Sequence, residues 1–224
     1  MVNKVDKIYV LNHKDFTDRL EIIENNLNRE GLEYKLVQVG HPDTIDYESE
    51  LEGWEHYDDI IIQQPYDSYR NFSKKISVGS LSLILKHLWC YKDQIENNYE
   101  NVLILEDDCD IPENFSEYLS DNMRDFSELN EIDGVGVLVM GTSHNFLCKN
   151  IKEGKSCHYG LYQKTRCTHA YILNINSTSK ILERFKIINL PIDFKLNEIL
   201  QLEGIKVAWS EPGLEQNDES RTNY

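Results

Sequence analysis

Three consecutive carboxylates, Glu106, Asp107 and Asp108, directly follow an apolar run at residues 102–105. An unbroken, β-prone apolar run of this length is typical of a strand buried on both faces of a mostly parallel sheet. Ligands of such sheets bind outside the carboxyl ends of the strands, which is where the three acids would lie. Neighbouring carboxylates repel one another in a buried setting unless a cation lies among them. We therefore predict a divalent-metal site for an anionic ligand, with an acidic turn facing solvent as the alternative.

A fourth carboxylate, Asp193, follows a break in the pattern at Pro191. A metal held by acids can stabilise a diphosphate leaving group, and a separate carboxylate can accept the proton of an attacking hydroxyl. A glycosidase instead needs one protonated carboxyl group, whereas a bound cation keeps adjacent acids ionised. Oxygen ligands alone favour Mg²⁺ or Mn²⁺ over Zn²⁺. Asp193 is therefore our candidate base, and capping of the helix that follows it is the alternative role.

The composition limits the partners of the chain. Its 23 basic and 39 acidic residues give a formal charge of -16, which argues against a nucleic acid or an anionic membrane surface. A phosphorylated small substrate stays compatible, since a bound divalent cation supplies local positive charge. No apolar run has the length of a membrane span, and residues 8–11 are too few for a signal-peptide core, which predicts a cytoplasmic location. The five cysteines include no CxxC pair, so we expect reduced thiols rather than a zinc site or disulfides.

The first part of the chain predicts a β-α-β unit followed by a long insertion. The unit comprises a strand at residues 8–11, an amphipathic helix that stops at Gly31, and a strand at residues 34–39. These strands should form a parallel pair with a right-handed crossover. Residues 40–75 then show no clear period. Such an insertion is typical of a lid or a binding loop, and a surface excursion with one short strand is the alternative.

After the insertion we predict a helix at residues 77–95 with Ser77 as its N-cap. Strands and helices then alternate, which predicts an α/β domain. The predicted strands are at residues 102–105, 135–140, 168–173 and 205–209. The predicted helices are one that begins at Pro112, one at 177–185, and one from about 192 to Gly204. Residues 144–166 predict a loop or hairpin. The tail from Glu211 is predicted to be either disordered or folded back onto the acids. Without internal repeats or a linker, residues 1–224 are predicted to form one domain.

Ordered anchors along most of the chain resemble glycosyltransferase family 25, which contains lipooligosaccharide galactosyltransferases and collagen hydroxylysine galactosyltransferases. Leu105-Glu106-Asp107-Asp108 resembles the family's Glu-Asp-Asp metal motif and is the most specific anchor. The other anchors match in order and rough spacing: residues 8–12 with Asp18-Arg19, Gly79 with His87 and Trp89, Thr168 with Ala170-Tyr171, Pro191 with Asp193, and Pro212 with Gln216 and Ser220. The pattern departs from the family where Ser82-Leu83 replaces Gly-Cys, Lys86-His87 replaces Ser-His, and residues 40–43 replace an Asp-Gly pair.

The resemblance implies a GT-A-like α/β domain with a mostly parallel central sheet flanked by helices. It implies a UDP-sugar donor, Mn²⁺ (or Mg²⁺) bridging the diphosphate, and inversion at the anomeric carbon. Galactose or glucose would pass to a hydroxyl group of a glycan, or of hydroxylysine in a collagen-like protein. An acidic protein would favour a basic acceptor of the second kind.

The resemblance also implies roles for individual residues. Asp108 with Asp107 or Glu106 would hold the metal, and Asp193 would lie near the acceptor. The residues near the nucleotide sugar would be Asn12, Arg19, Asp107 and Gln216, with Ser220 completing the site. A catalytically degenerate module that binds a nucleotide sugar or glycan is the alternative function. A nucleotidyltransferase would share the acidic strand end, but the sequence lacks the Gly- and Lys-rich phosphate loop of that class.

Overall fold

The computed structural model of the chain describes residues 4–44, 77–142, 154–159, 167–185, 188 and 190–217. The strands are β1 (Lys7–Leu11), β2 (Lys35–Val37), β3 (Asn101–Glu106), β4 (Val135–Gly141), β5 (Cys157–Tyr159), β6 (Ala170–Asn174) and β7 (Lys206–Leu214). The helices are α1 (Thr17–Arg29), α2 (Val78–Asn97), α3 (Phe115–Asp133), α4 (Ile175–Arg184) and α5 (Ile192–Leu202). None of the described helices is both long and apolar enough to cross a membrane.

The described strands form one mixed sheet in the order β2-β1-β3-β6-β4-β7-β5. β1 is parallel to β2 and β3, and β4 is parallel to β7. β6 is antiparallel to both of its neighbours and β5 is antiparallel to β7, so five of the seven described strands run the same way. Helices α1 and α3 cover one face, and α2, α4 and α5 cover the other. This architecture confirms the predicted α/β class and is compatible with a GT-A-like fold.

Strand β3 carries the acids and divides its side chains between two hydrophobic cores. Val102 and Ile104 belong to the core under α2, α4 and α5, whereas Leu103 and Leu105 belong to the core under α1 and α3. All four side chains are completely buried. The unbroken apolar run is therefore explained by burial on both faces of the sheet, as predicted. Glu106 ends the strand, and the next two acids form the turn beyond it.

The predicted β-α-β unit and the cap of α2 are both confirmed. The first two strands are parallel, and α1 gives way to Gly31 at φ +67, a left-handed conformation that glycine adopts at little cost. Ser77 Oγ accepts a hydrogen bond of 3.1 Å from the Ser80 N–H, which satisfies one of the open donors at the start of α2.

Two predicted boundaries are wrong. Helix α3 begins at Phe115 rather than at Pro112, because Asn114 has φ +63, which is incompatible with a helical turn. Strand β7 does not end at residue 209, because β4 pairs with it as far as Leu214 and β5 pairs with its other edge. After an irregularity beyond Trp209, the pairing of Gly141 with Leu214 extends β7 into the segment that was predicted as tail.

Other predictions fall partly outside the described residues. Most of the insertion at 40–75 does so, as does most of the segment 144–166, apart from residues 154–159 with edge strand β5. Among the described cysteines, Cys90, Cys109 and Cys157 are buried thiols. Cys148 lies outside the described residues.

Candidate functional site

The carboxyl ends of β1 and β3 lie side by side, because the strands pair in parallel with Leu11 opposite Glu106. The Asp107 N–H donates to the Leu11 carbonyl oxygen at 3.0 Å, so the residues that follow the two strands meet at this edge. Asn12 Nδ2 donates to Asp107 Oδ2 at 2.7 Å, and Gln38 fixes the orientation of that amide by donating to Asn12 Oδ1 at 2.6 Å. The structure therefore brings the predicted site residues Asn12 and Asp107 into contact.

Asp107 is held by further groups from the β1–α1 connection and the first turn of α1. The His13 N–H donates to Oδ2 at 3.4 Å, and the Arg19 guanidinium lies 3.5 Å from Oδ1. The guanidinium also lies over the Phe16 ring, 4.6 Å from its centroid, which fixes its position further. Burial raises the pKa of Asp107, while the hydrogen bonds and the charge of Arg19 oppose that rise. The Arg19 guanidinium therefore lies at the predicted edge of the sheet, where it forms an ion pair with Asp107.

Glu106 instead contacts α2 and the segment just before β6. Thr168 Oγ1 donates to Glu106 Oε1 at 2.8 Å, and His87 Nε2 lies 3.5 Å from the same oxygen. His87 is completely buried and its Nδ1 lies 2.6 Å from the Tyr171 hydroxyl, which lies 2.7 Å from the Tyr91 hydroxyl. Burial opposes ionisation of Glu106, but the contacts with His87 and Thr168 outweigh it and lower its pKa. His87, Thr168 and Tyr171 are anchors of the family pattern, but the pattern does not show which of them contact Glu106.

The described part of the tail, residues 211–217, lies against the acids. The Asn217 N–H donates to the Asp108 carbonyl oxygen at 2.8 Å, and Cys109 and Gln216 form an isolated antiparallel bridge. Gln216 Nε2 donates to Asp108 Oδ2 at 3.3 Å, so this predicted residue also reaches the site. Ser220 lies outside the described residues.

The Asp108 carboxylate is only partly satisfied. Its Oδ1 is buried and has no hydrogen-bond partner in the described part of the chain. Burial and the charges of Glu106 and Asp107 raise the pKa of Asp108 to about 7, against the opposing effects of Arg19 and Gln216. A half-buried carboxylate with a buried, unpartnered oxygen and an unfavourable negative charge is a group that a bound cation would stabilise.

A packed histidine fixes the strand end that delivers Gln216. His169 is completely buried and its Nε2 lies 2.8 Å from the Leu214 carbonyl oxygen. The ring occupies the space beside Gly141, where an added Cβ would lie 2.7 Å from its Cε1 atom. Gly141 is therefore required at the end of β4 because a side chain there would displace His169 and the chain that leads to Gln216.

Asp193 lies in the first turn of α5, where its Oδ1 accepts a hydrogen bond of 2.9 Å from the Phe194 N–H. Burial raises the pKa of Asp193 to about 6 against the effect of that hydrogen bond, and the charge of Glu106 adds to the rise. The residue thus lies within electrostatic reach of Glu106. Pro191 is the N-cap residue of α5 and makes no side-chain capping hydrogen bond. Asp193 instead satisfies the Phe194 N–H within the first turn, where its charge also suits the helix dipole.

Lys86 was not among the predicted site residues, although it marks a departure from the family pattern. Its residue exposure is 4%, and its Nζ donates to Ser82 Oγ at 2.6 Å within α2. Burial lowers the pKa of Lys86 to about 8, while the charge of Asp107 raises it. The sequence signal was a lysine on the apolar face of a helix, four residues after a small polar side chain. The structure shows that this ammonium group lies within electrostatic reach of Asp107.

Lys86→Met is expected to raise the free energy of unfolding at pH 7 by about 1–3 kcal/mol, because it removes a buried charge. The Lys86 pKa falls from 10.5 to about 8 on folding, so the cost is complete below about pH 8 and disappears as the pH rises to 10.5. Urea unfolding at pH 7 and pH 10 should show the gain shrinking at the higher pH. Lys92→Met, at an exposed position of the same helix, is the control and should change stability little. An equal gain at both pH values would contradict the burial explanation.

A cavity of about 520 Å³ opens between the start of α3 and the end of β7. Five carboxylates line it, those of Asp110, Glu113, Glu117, Asp121 and Glu215. None of the predicted site residues lines this cavity, and its charge would repel a diphosphate. It suits a cationic group better than a nucleotide.

Comparison with known proteins assigns the chain to a class. The family model for Glycosyltransferase family 25 (LPS biosynthesis protein) matches residues 5–196 of the 224. The chain therefore belongs to glycosyltransferase family 25, a family of enzymes that transfer a sugar from a donor to an acceptor. The matched residues include Asn12, the three acids and Asp193, and they end before β7 and Gln216.

No curated protein matches the sequence. The chain is similar to the crystal structure of A197 from STIV, with 10% sequence identity and a TM-score of 0.48. The match covers 91% of this chain and 80% of the A197 chain.

Proposed function

We propose that this chain is a metal-dependent, inverting hexosyltransferase that moves galactose or glucose from a UDP-sugar to a hydroxyl group of a glycan. The observation that carries the proposal is the half-buried Asp108 carboxylate, which lies beside Asp107 at the carboxyl edge of the sheet. Its Oδ1 is buried and has no hydrogen-bond partner in the described part of the chain. Family membership supports sugar transfer, and the family's description supports a glycan product. Hydroxylysine of a collagen-like protein is the second acceptor to be tested.

The donor set of the two aspartates fits Mn²⁺ or Mg²⁺, which prefer oxygen ligands. Asp108 offers its open oxygen, and Asp107 lies next to it with Asn12 and Arg19 as its present partners. Glu106, the third predicted ligand, contacts His87 and Thr168, so we assign it the electrostatic role of raising the pKa values of Asp108 and Asp193. When bound, the cation supplies Lewis-acid stabilisation of the charge that develops on the diphosphate leaving group.

The remaining steps are assigned to the chain's own side chains. Arg19 and Lys86 bring positive charge to the edge of the sheet where the phosphates would bind. Asp193 accepts the proton of the acceptor hydroxyl, and its raised pKa of about 6 suits that task near neutral pH. The hydroxyl oxygen bonds to the anomeric carbon as the bond from that carbon to the diphosphate oxygen breaks. A single displacement of this kind inverts the anomeric configuration.

A screen of UDP-galactose, UDP-glucose and GDP-mannose, each with and without Mn²⁺, tests the proposal. Thermal unfolding reports binding, since a ligand of the native state raises apparent stability. UDP release in the presence of glycan or hydroxylysine acceptors reports transfer. We expect one UDP-sugar to stabilise the protein only with Mn²⁺ and to release UDP when an acceptor is present. The same release in EDTA would contradict metal dependence, and a preference for GDP-mannose would contradict the donor.

A catalytically degenerate binding module is the second candidate, and Lys86-His87 in place of Ser-His is the observation that favours it. Lys86 supplies a fixed charge that could hold a nucleotide without promoting its cleavage. Stabilisation by a UDP-sugar together with no UDP release from any acceptor would support this function over transfer.

A further inference from the structure

A second group of metal-ligating side chains lies outside the acidic strand end. His13 and Asp15 belong to the β1–α1 connection, and His41 lies in the segment that follows β2. One ligand atom from each residue lies within 4.8 Å of the other two. Asp15 Oδ2 lies 3.8 Å from His13 Nδ1 and 3.6 Å from His41 Nε2. Among the described residues, no other three His, Cys, Asp or Glu side chains form such a group.

The burial of His41 points independently to a ligand. His41 is 7% exposed, and its Nε2 is buried without a hydrogen-bond partner in the described part of the chain. This nitrogen faces the Asp15 carboxylate. The rings of His13 and His41 are packed together with their centroids 4.3 Å apart. A buried ring nitrogen without a partner costs free energy, which a coordinated cation at that position would offset.

We propose that His13, Asp15 and His41 bind a divalent transition-metal cation of the Zn²⁺ type. Two imidazole nitrogens and one carboxylate oxygen suit Zn²⁺, in contrast to the oxygen-only donors of the acidic strand end. The Asp15 side chain is 60% exposed, so the fourth position opens to water. This site does not depend on the proposed function, because it uses none of the three adjacent acids.

The distances are close to those of a coordinated ion. Zn–N and Zn–O bonds of about 2.0–2.1 Å in a tetrahedron separate the ligand atoms by about 3.3 Å. The two separations from Asp15 Oδ2, 3.6 and 3.8 Å, require only small side-chain movements. The Asp15 N–H donates to His13 Nδ1 at 3.3 Å, a long bond that coordination by Nδ1 would replace.

Asp43 can prepare His41 for binding. His41 Nδ1 accepts from the Asp43 N–H at 3.2 Å and lies 3.5 Å from Asp43 Oδ2. Coordination through Nε2 requires the ring proton on Nδ1, so the bond from the Asp43 N–H would be lost and Nδ1–H would donate to the Asp43 carboxylate instead. Carboxylates commonly orient metal-binding histidines in this way.

The bound ion would join the segments that follow β1 and β2. The segment after β1 also contains the Asn12 side chain and the His13 N–H, which both donate to Asp107. The ion would therefore restrain residues that contact Asp107 at the carboxyl edge of the sheet. Binding to the native state should therefore raise the unfolding temperature, with no change in the sheet itself.

The test uses untagged full-length protein treated with a chelator and then titrated with Zn²⁺, and with Co²⁺ for its visible absorption. Calorimetry should show one Zn²⁺ site that persists in Asp108→Asn, and the Co²⁺ spectrum should indicate nitrogen ligands. His41→Gln and Asp15→Asn should each weaken Zn²⁺ binding by at least about tenfold, the lower end of what is typical for residues that merely support a metal ligand. Glu21→Gln, the same change of charge at an exposed position of α1, should bind as the parent does.

Asp15→Asn keeps the test decisive if His41→Gln fails to fold, because the Asp15 side chain is largely exposed. Zn²⁺ binding of parent strength in Asp15→Asn would overturn the proposal. So would loss of the Zn²⁺ site in Asp108→Asn, which would assign the ion to the acidic strand end. Failure of UDP-sugar transfer would leave the Zn²⁺ result unaffected, so the two proposals fail independently.

Discussion

Asp108→Asn is expected to abolish metal-stimulated sugar transfer while making the metal-free protein more stable. The change preserves the shape of the side chain and removes the charge that would bind the cation. Loss of one preorganised electrostatic contact should lower kcat/KM by about 100- to 1,000-fold. Initial rates of UDP release over a series of Mn²⁺ concentrations measure this loss, and urea unfolding in EDTA measures stability.

The expected gain in stability follows from the pKa of Asp108. Folding raises that pKa from 3.8 to about 7, so the ionised carboxylate costs free energy at every pH above its ordinary range. The cost grows as the pH rises from 3.8 and is complete above about pH 7. Asn carries no charge, and the free energy of unfolding at pH 8 should therefore rise. Opposite effects on activity and stability are expected of a residue retained for function.

Asp110→Asn is the matched control, because Asp110 is an exposed acid two residues further on. It should leave both rates and stability near the parent values. Mn²⁺-stimulated transfer of parent strength in Asp108→Asn would rule out Asp108 as a metal ligand. A loss of activity accompanied by a loss of stability would instead indicate a structural role.

The local elements could be predicted because their signals are local. The apolar run 102–105 reports burial on both faces, and Ser77 caps α2 through its own side chain. The antiparallel insertion of β6 between β3 and β4 could not be predicted, since pairing partners depend on long-range packing. The start of α3 was mispredicted because proline is compatible with the first turn of a helix but does not by itself start one. Asn114 takes a left-handed conformation, so the helix begins only after it.

The location of the candidate site could be predicted, but the different contacts of its three acids could not. Parallel pairing of β1 with β3 brings Asn12 to Asp107, which the strand-end rule anticipates. The sequence does not show that Glu106 contacts His87 while Asp108 keeps an open oxygen, because successive residues at a strand end point in different directions. Lys86 was overlooked because a lysine on an apolar helix face ordinarily extends its ammonium group to water.

Asp193→Asn is expected to lose most sugar transfer and to keep UDP-sugar affinity. General-base catalysis typically contributes about 100- to 10,000-fold, and the amide cannot accept the acceptor's proton at neutral pH. In the parent, kcat/KM should fall as the pH drops through about 6, where the carboxylate becomes protonated. That acidic limb should be missing from the residual activity of the variant. Rates from pH 5 to 9 and the thermal shift with UDP-sugar and Mn²⁺ measure the two effects.

A helix-capping role for Asp193 predicts a different result. Its removal would then lower the free energy of unfolding by about 0.5–2 kcal/mol and leave the pH profile of transfer unchanged. The base assignment predicts unchanged or raised stability at pH 7 instead, because the raised pKa means that the ionised carboxylate is unfavourable in the folded protein. Glu198→Gln removes the same charge from the same helix and should alter neither the transfer rate nor its pH dependence. Full transfer activity in Asp193→Asn would exclude it as the base and direct attention to Glu106, whose charge reaches the same region.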